Sequence, residues 1–390
     1  MKQSTITFFP VGEKNGGITL LKLNDSEETT LMVDVSIEDE KIADHCDVAT
    51  ELRDRLKEDN EGRPYVDAFL LTHRHQDHLA GIQKHFHLGP LSEYPEAEDG
   101  EAPKIVIREL WSSTRYKKRA STSYELCEDA KAFNREMKRR VEAFRSKGCI
   151  QDEGDRATVV ANDSDEEDIE LISITRKVGT RFSTINCKEL TPKFEAFILG
   201  PIEQQEDESD EDYEKKNRQS VILQIKVIEG AAYNRLLLAA DAECFVWESL
   251  WSKYRSDLDK LSYDILLCPH HCSWHSLSYD SRSECDDPKV CGDAKLALSQ
   301  CKKESGCIVS QSCVIKDDDN DPPSYAAKQE YLTIVSKKLF FCTNETPSEK
   351  KPEPLEFNLT ASGPQRKAKK DKSKLSSAAL ASTREPLPHG

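Results

Sequence analysis

Apolar residues in this chain come in short runs broken by Gly, Asn, Asp and acidic clusters, and the first third reads as strands on that pattern. "STITFFPV" precedes a turn-like "GEKNGG". "ITLLKL" and "TTLMVDVSI" follow, separated by the polar "NDSEE", as in a meander rich in β-branched residues. The spacing in "DVATELRDRLKED" predicts a helix ending near Gly62 and Pro64, and "VDAFLLTH" a buried strand. Next come a strand at "KIVIREL", a long helix within "YELCEDAKAFNREMKRRVEAFRSKG", and strands at "IELISIT" and "FEAFILGP". The second half alternates again. "SVILQIKVI" and "YNRLLLAAD" form paired strands, "AECFVWESLWSKYRSDL" a helix and "YDILLCPHH" a strand. "DAKLALSQCKK" and "SYAAKQEYLTIVSKK" read as helices, and "GCIVSQS" and "LFFCT" as strands. This alternation predicts an α/β fold of two packed sheets with helices outside.

Two stretches break the pattern. "DSDEED" at 163–168 and "EDESDEDYE" at 206–214 concentrate like charges that repel one another, so acidic insertions near 152–168 and 203–216 are expected as solvated loops. Beyond 345 the chain turns rich in Pro, Lys and Ser without periodicity. The reading is one domain over 1–345 and a disordered basic tail over 346–390. The formal net charge of −16 argues against a protein that coats nucleic acid, although it leaves room for a local basic groove. No run reaches the length of a membrane span, and the start lacks a signal-peptide core. Thirteen cysteines without an export signal point to a reduced, cytoplasmic, bacterial-type protein that does not engage a membrane.

The chemistry concentrates in Leu70–Gly81, "LLTHRHQDHLAG". Three histidines and one aspartate fall within 73–78, directly after an apolar strand, and half of the ten histidines lie between 73 and 87. In extended backbone His73 and His75 point to one face. Asp77 and His78 follow in a loop. Neutral imidazoles with a carboxylate suit zinc, manganese or iron. More ligands than one tetrahedral ion needs suggests two ions sharing a site. His85 and His87 lie past the block, on a helix end.

"THRHQDH" resembles the His-x-His-x-Asp-His signature of the metallo-β-lactamase fold. The closest branch contains the hydrolase domain of competence-type DNA-uptake proteins and bacterial phosphorylcholine esterase. "FFPVGEKNGGITLL" resembles that branch's first hairpin, "LMVDV" its next strand with Asp34, and "NRQSVILQI" a middle strand with Asn217 and Ser220. "LLLAADAE" resembles the strand carrying a bridging aspartate, here Asp241. "DILLCPHHCSWHS" resembles the strand ending in a His-His-Gly-Ser turn, here His270 and His271 with Cys272 in place of glycine. "CIVSQS…NDPPS" resembles the closing strand and loop. The likeness covers roughly 4–343 and implies an αββα four-layer sandwich of two mixed sheets with outer helices. It implies two divalent ions, zinc or manganese: His73 and His75 on the first, Asp77 and His78 on the second, and Asp241 between them. His270 is expected to complete the second site. His271, Asp34 and Asn217 are expected behind the ligands or facing substrate.

One departure stands out. No histidine lies between 88 and 269, where the family's third ligand of the first ion belongs, and the aligned position is Gly200. The cysteines at 285, 291, 301, 307 and 313 lack Cys-x-x-Cys spacing and read as scattered thiols. The expected activity is hydrolysis by a metal-bound hydroxide with Asp77 as catalytic residue. A phosphodiester is the favoured substrate, making the chain a nuclease or phosphodiesterase. Lys117, Lys118, Arg119, Arg135, Lys138, Arg139 and Arg140 offer a surface for a nucleic-acid strand, and "RKAKKDKSK" at 366–374 a further grip. The alternative is a non-catalytic interaction protein that keeps the fold with an incomplete site.

Overall fold

The computed structural model describes residues 2–367, apart from 13, 38–45, 98–99, 118–124, 150–151, 166, 206–207 and 216. Its strands form two large mixed sheets. In the first, Gly363–Arg366, Leu355–Thr360, Thr5–Phe8, Thr19–Lys22 and Thr30–Val33 pair antiparallel in that order. Pro64–Leu70, Ile105–Ser113, Arg156–Ala161 and Thr175–Lys177 then continue the sheet in parallel. The second sheet runs Arg181–Phe182, Phe194–Gly200, Ile222–Glu229 and Ala232–Leu238 antiparallel. Tyr263–Leu267, Lys302–Ser310 and Phe340–Cys342 then follow in parallel.

Three buried clusters set the layers. Ile6, Leu31 and Leu70 of the first sheet meet Ile198, Leu223, Leu236 and Val309 of the second in one apolar core. The other face of the first sheet, through Met32, Phe69 and Ile107, packs on Phe133, Met137 and Val141 of the helix Glu128–Lys147. The other face of the second sheet, through Leu237 and Leu266, packs on the helices Cys244–Tyr254, Gly292–Ser299 and Tyr325–Ile334. The molecule is thus an α/β sandwich, as the alternation predicts. Strands buried on both faces explain why Pro64–Leu70 is apolar almost throughout rather than alternating.

Several expectations need correction. Residues 346–367 are ordered, because Leu355–Thr360 pairs with Thr5–Phe8 and buries Leu355, Phe357 and Leu359; residues 368–390 lie outside the described part. "IELISIT" is a 3-10 turn at Ile169–Leu171 leading to a strand only from Thr175, with Ile169 and Ile172 exposed. The acidic stretch at 206–214 includes a short helix, Asp210–Lys215, rather than loop alone. Its start is held by Arg115, which donates to Asp210 at 2.9 Å and lies over the Tyr213 ring.

Among the described residues the expected basic surface is retained only in part. Arg140 is buried, donating to Glu136 at 2.6 Å and to the carbonyl of Ile107 at 2.9 Å. Arg139 pairs with Glu136 and Asp155, and Lys117 lies 3.5 Å from Asp168. Arg135 and Lys138 are exposed; Lys118 and Arg119 lie outside the described residues.

Candidate metal centre

The strand Pro64–Leu70 carries its chain out at the rim between the sheets, and Thr72–His78 follows without regular pairing until a 3-10 turn, Gln76–His78. On the second sheet, Ala232–Leu238 ends just before Asp241, and Tyr263–Leu267 just before His270 and His271. The two ends are tied together, since His270 N donates to the carbonyl of Ala240 at 2.9 Å. Val221 N donates to the carbonyl of Thr72 at 3.0 Å, joining the sheets at the same rim.

Two groups of ligand atoms result. Asp77, His78, Asp241 and His271 form one; His73, His75 and Asp241 form the other. Asp241 belongs to both through different oxygens. Its Oδ1 lies 3.1 Å from His78 Nε2 and 3.5 Å from His271 Nε2, while its Oδ2 lies 3.4 Å from His73 Nε2. His78 Nε2 and His271 Nε2 are 3.2 Å apart, His271 Nε2 and Asp77 Oδ2 3.2 Å, and His73 Nε2 and His75 Nδ1 3.1 Å. Ligands about 2.1 Å from a tetrahedral ion stand about 3.4 Å from one another, so these separations match the edges of coordination polyhedra.

Backbone hydrogen bonding and buried carboxylates choose which ring nitrogens face inward. His78 Nδ1 donates to Asp34 Oδ2 at 2.8 Å, and His271 Nδ1 to the carbonyl of Gln311 at 2.7 Å. Thr72 donates its hydroxyl to Asp34 Oδ2 at 2.7 Å, and that same hydroxyl lies 3.1 Å from His73 Nδ1. Each of these three rings therefore turns Nε2 toward the cluster, an outer-shell arrangement that fixes ring orientation. Asp241 Oδ1 is buried, and it meets His78 Nε2 and His271 Nε2 within 3.5 Å. Acceptors that close need a positive charge between them, supplied by a ring proton or by a cation. These His and Asp residues can hold a metal ion.

The titration of the rings reflects the same field. Burial and the neighbouring His78 push His73 down to about 3, keeping it a neutral donor. Burial also opposes charge on His78 and His271, yet the carboxylates of Asp241 and its neighbours outweigh burial and hold both above a free imidazole. Conversely, burial opposes ionisation of Asp241 and Asp77, but the facing histidines keep both carboxyls below the usual range. Asp77 and His75 are partly exposed, so the centre opens to solvent on their side.

His271, not His270, joins Asp77, His78 and Asp241; this corrects the sequence expectation. The reason is backbone conformation. His270, His271 and Cys272 all have left-handed φ, at 45°, 52° and 70°, so neighbouring rings are thrown in different directions. His270 instead sits with Nε2 3.7 Å from Asp241 Oδ2 and Nδ1 3.7 Å from Glu243 Oε1. Asn217 Nδ2 donates to the same Glu243 oxygen at 3.1 Å. Burial, with Asp241 nearby, raises Glu243 to about 7. Glu243, Thr72 and Gln311 were not singled out from sequence. Of the three, only Glu243, two residues past Asp241 in "ADAEC", carried any local signal.

Gly200 supplies no ligand and has room for none, because a Cβ there would lie 2.8 Å from the Ser220 carbonyl oxygen. His85, His87 and His275 lie outside both groups, as do the cysteines, among the described residues. All thirteen cysteines are free thiols. No helix among the described residues is long and apolar enough to cross a membrane. No protein-family description matches the chain, and no curated protein is significantly similar to it.

Proposed function

We propose that this chain is a metallohydrolase of the metallo-β-lactamase fold that holds two divalent ions, zinc or manganese, and cleaves a phosphodiester. The observation that carries the reading is the division of one buried carboxylate, Asp241, between two histidine groups. The two-sheet layering and the order of the motifs support it. Divalent ions held there supply Lewis acidity, lowering the pKa of bound water and offsetting charge that builds on a phosphoryl oxygen.

The protein's own residues do the rest. Asp34 and the Gln311 carbonyl hold His78 and His271 in place, so the site does not reorganise as charge develops. Asp77, on the open side and 3.2 Å from His271 Nε2, orients the attacking water while serving as a ligand. His270, backed by Glu243, faces Asp241 Oδ2 at the rim, where it meets the substrate. Arg140 is buried on Glu136 and Arg139 pairs with Glu136 and Asp155, while Lys117, Arg135 and Lys138 stay exposed, so both a small phosphodiester and a polynucleotide belong in the test.

The test is a screen of bis-p-nitrophenyl phosphate, cyclic nucleotides, and single-stranded DNA and RNA with zinc and with manganese. Metal-dependent turnover of one of them is expected; no turnover with two ions bound sinks the reading. One observation favours a second reading, an interaction protein with an incomplete site: the first group has two histidines and the shared aspartate, with Gly200 where a third histidine belongs. A chain that holds one ion or none and turns nothing over is the outcome that reading requires.

A further inference from the structure

The second ligand group is built from both sheets, Asp77 and His78 from one and Asp241 and His271 from the other, so its geometry depends on how the sheets are registered at the rim. Metal ligation tolerates only about 0.5 Å of misplacement, so the polar ties that cross the rim bear directly on the ligand distances.

The turn Asn15–Gly17, from the "KNGG" of the first hairpin, touches both ligand-bearing loops. At Gly16, with φ 144°, a Cβ would lie 2.6 Å from the Asp77 carbonyl oxygen and 2.5 Å from Ser36 Oγ. Only glycine combines that backbone with so close an approach. A Cβ on Gly17 would lie 2.9 Å from Gln311 Oε1. The Gln311 side chain is buried and spoken for at both ends: Nε2 donates to the Ile18 carbonyl at 2.6 Å, and Oε1 accepts from Thr19 Oγ1 at 3.1 Å. The carbonyl of the same residue accepts from His271 Nδ1 at 2.7 Å. Asn15 adds a second bridge, accepting from Cys313 N at 3.3 Å and donating to the Pro322 carbonyl at 2.8 Å.

We propose that Gln311 and the glycine turn it grips are positioning residues that set the distance between His271 and Asp77, and so the affinity of the second metal group alone. The inference rests on the two-ion reading above. Gln311 reaches no reacting atom; it acts through His271.

The test is competition for zinc between the full-length protein and a fluorescent chelator. The wild type is expected to show two binding steps, the second-group step being the one lost in Asp77→Ala. Gln311→Met keeps the volume and removes both hydrogen bonds. It should weaken that step at least tenfold, within the range seen when outer-shell partners of ligands are removed, and leave the other step unchanged. Gly16→Ala should do the same; if it does not fold, Gln311→Met decides. Leu298→Ala, in the buried face of the helix Gly292–Ser299, is the control for lost stability and should leave both steps intact. Two unaltered steps in Gln311→Met, or equal weakening in Leu298→Ala, overturns the proposal while the hydrolase reading stands. A wild type without two steps overturns both.

Discussion

Asp77 occupies the open side of the centre, and its removal separates the roles of ligand and scaffold. The strand before it, Pro64–Leu70, is buried along its whole length and needs nothing from the loop. Asp77→Ala should therefore fold with an unchanged circular dichroism spectrum, lose metal, and turn over phosphodiester about a thousandfold more slowly, since even part of the several kcal/mol from metal stabilisation is worth that much. A folded variant with wild-type turnover would place the catalytic centre elsewhere. Most of the clustered residues were legible because a loop dense in His and Asp directly following an apolar strand is a local pattern. The choice between His270 and His271 was not. Adjacent histidines are equivalent in a sequence, and only three successive left-handed residues decide which ring turns inward.

The helix Glu128–Lys147 shows how an element couples the outer layer to the centre. It is terminated by Gly148 at φ 70°, and in its first turn Asp129 accepts from Gly81 N at 3.0 Å, holding the segment that leaves the ligand loop. Midway, Glu136 binds both Arg139 and the fully buried Arg140. Glu136→Ala leaves a buried guanidinium without its carboxylate and should destabilise the protein by about 3 kcal/mol in urea unfolding. Burial pushes the Glu136 carboxyl up, but its arginine partners outweigh burial and hold it below the ordinary 4.5. A lowered folded-state value means that its contribution is complete above the ordinary carboxylate range and is lost as pH falls through the folded value. Stability measured from pH 6 down to pH 3 should thus fall less steeply in Glu136→Gln than in the wild type; parallel curves would contradict this. The helix itself was plain from its periodicity. The burial of Arg140 was not, because a cation on a helix reads as solvated unless its carbonyl partners on other strands are known.

Across the whole molecule, the last strands close the first sheet, and this reverses what the composition of the C-terminal region suggested. "LEFNLT" alternates apolar and polar residues, but it lies among Pro, Lys and Ser. Its partner, Thr5–Phe8, is some 350 residues away, a pairing that no local pattern reveals. Leu355, Phe357 and Leu359 are buried, with the Phe357 ring 6.3 Å from that of Phe8. Burying such side chains contributes about 1.5–3 kcal/mol each, so removing 346–390 forfeits on the order of 5 kcal/mol, a large part of a domain's net stability. The truncated chain should melt about 10 °C lower or fail to fold. An unchanged melting temperature would mean that these strands add nothing. The central claim, a carboxylate shared by two metal groups, is tested most directly by elemental analysis of purified wild type, Asp241→Ala and His275→Ala. The account predicts two ions per chain in the wild type and in His275→Ala, and loss of metal from both groups in Asp241→Ala. Equal metal content in Asp241→Ala and His275→Ala would contradict it.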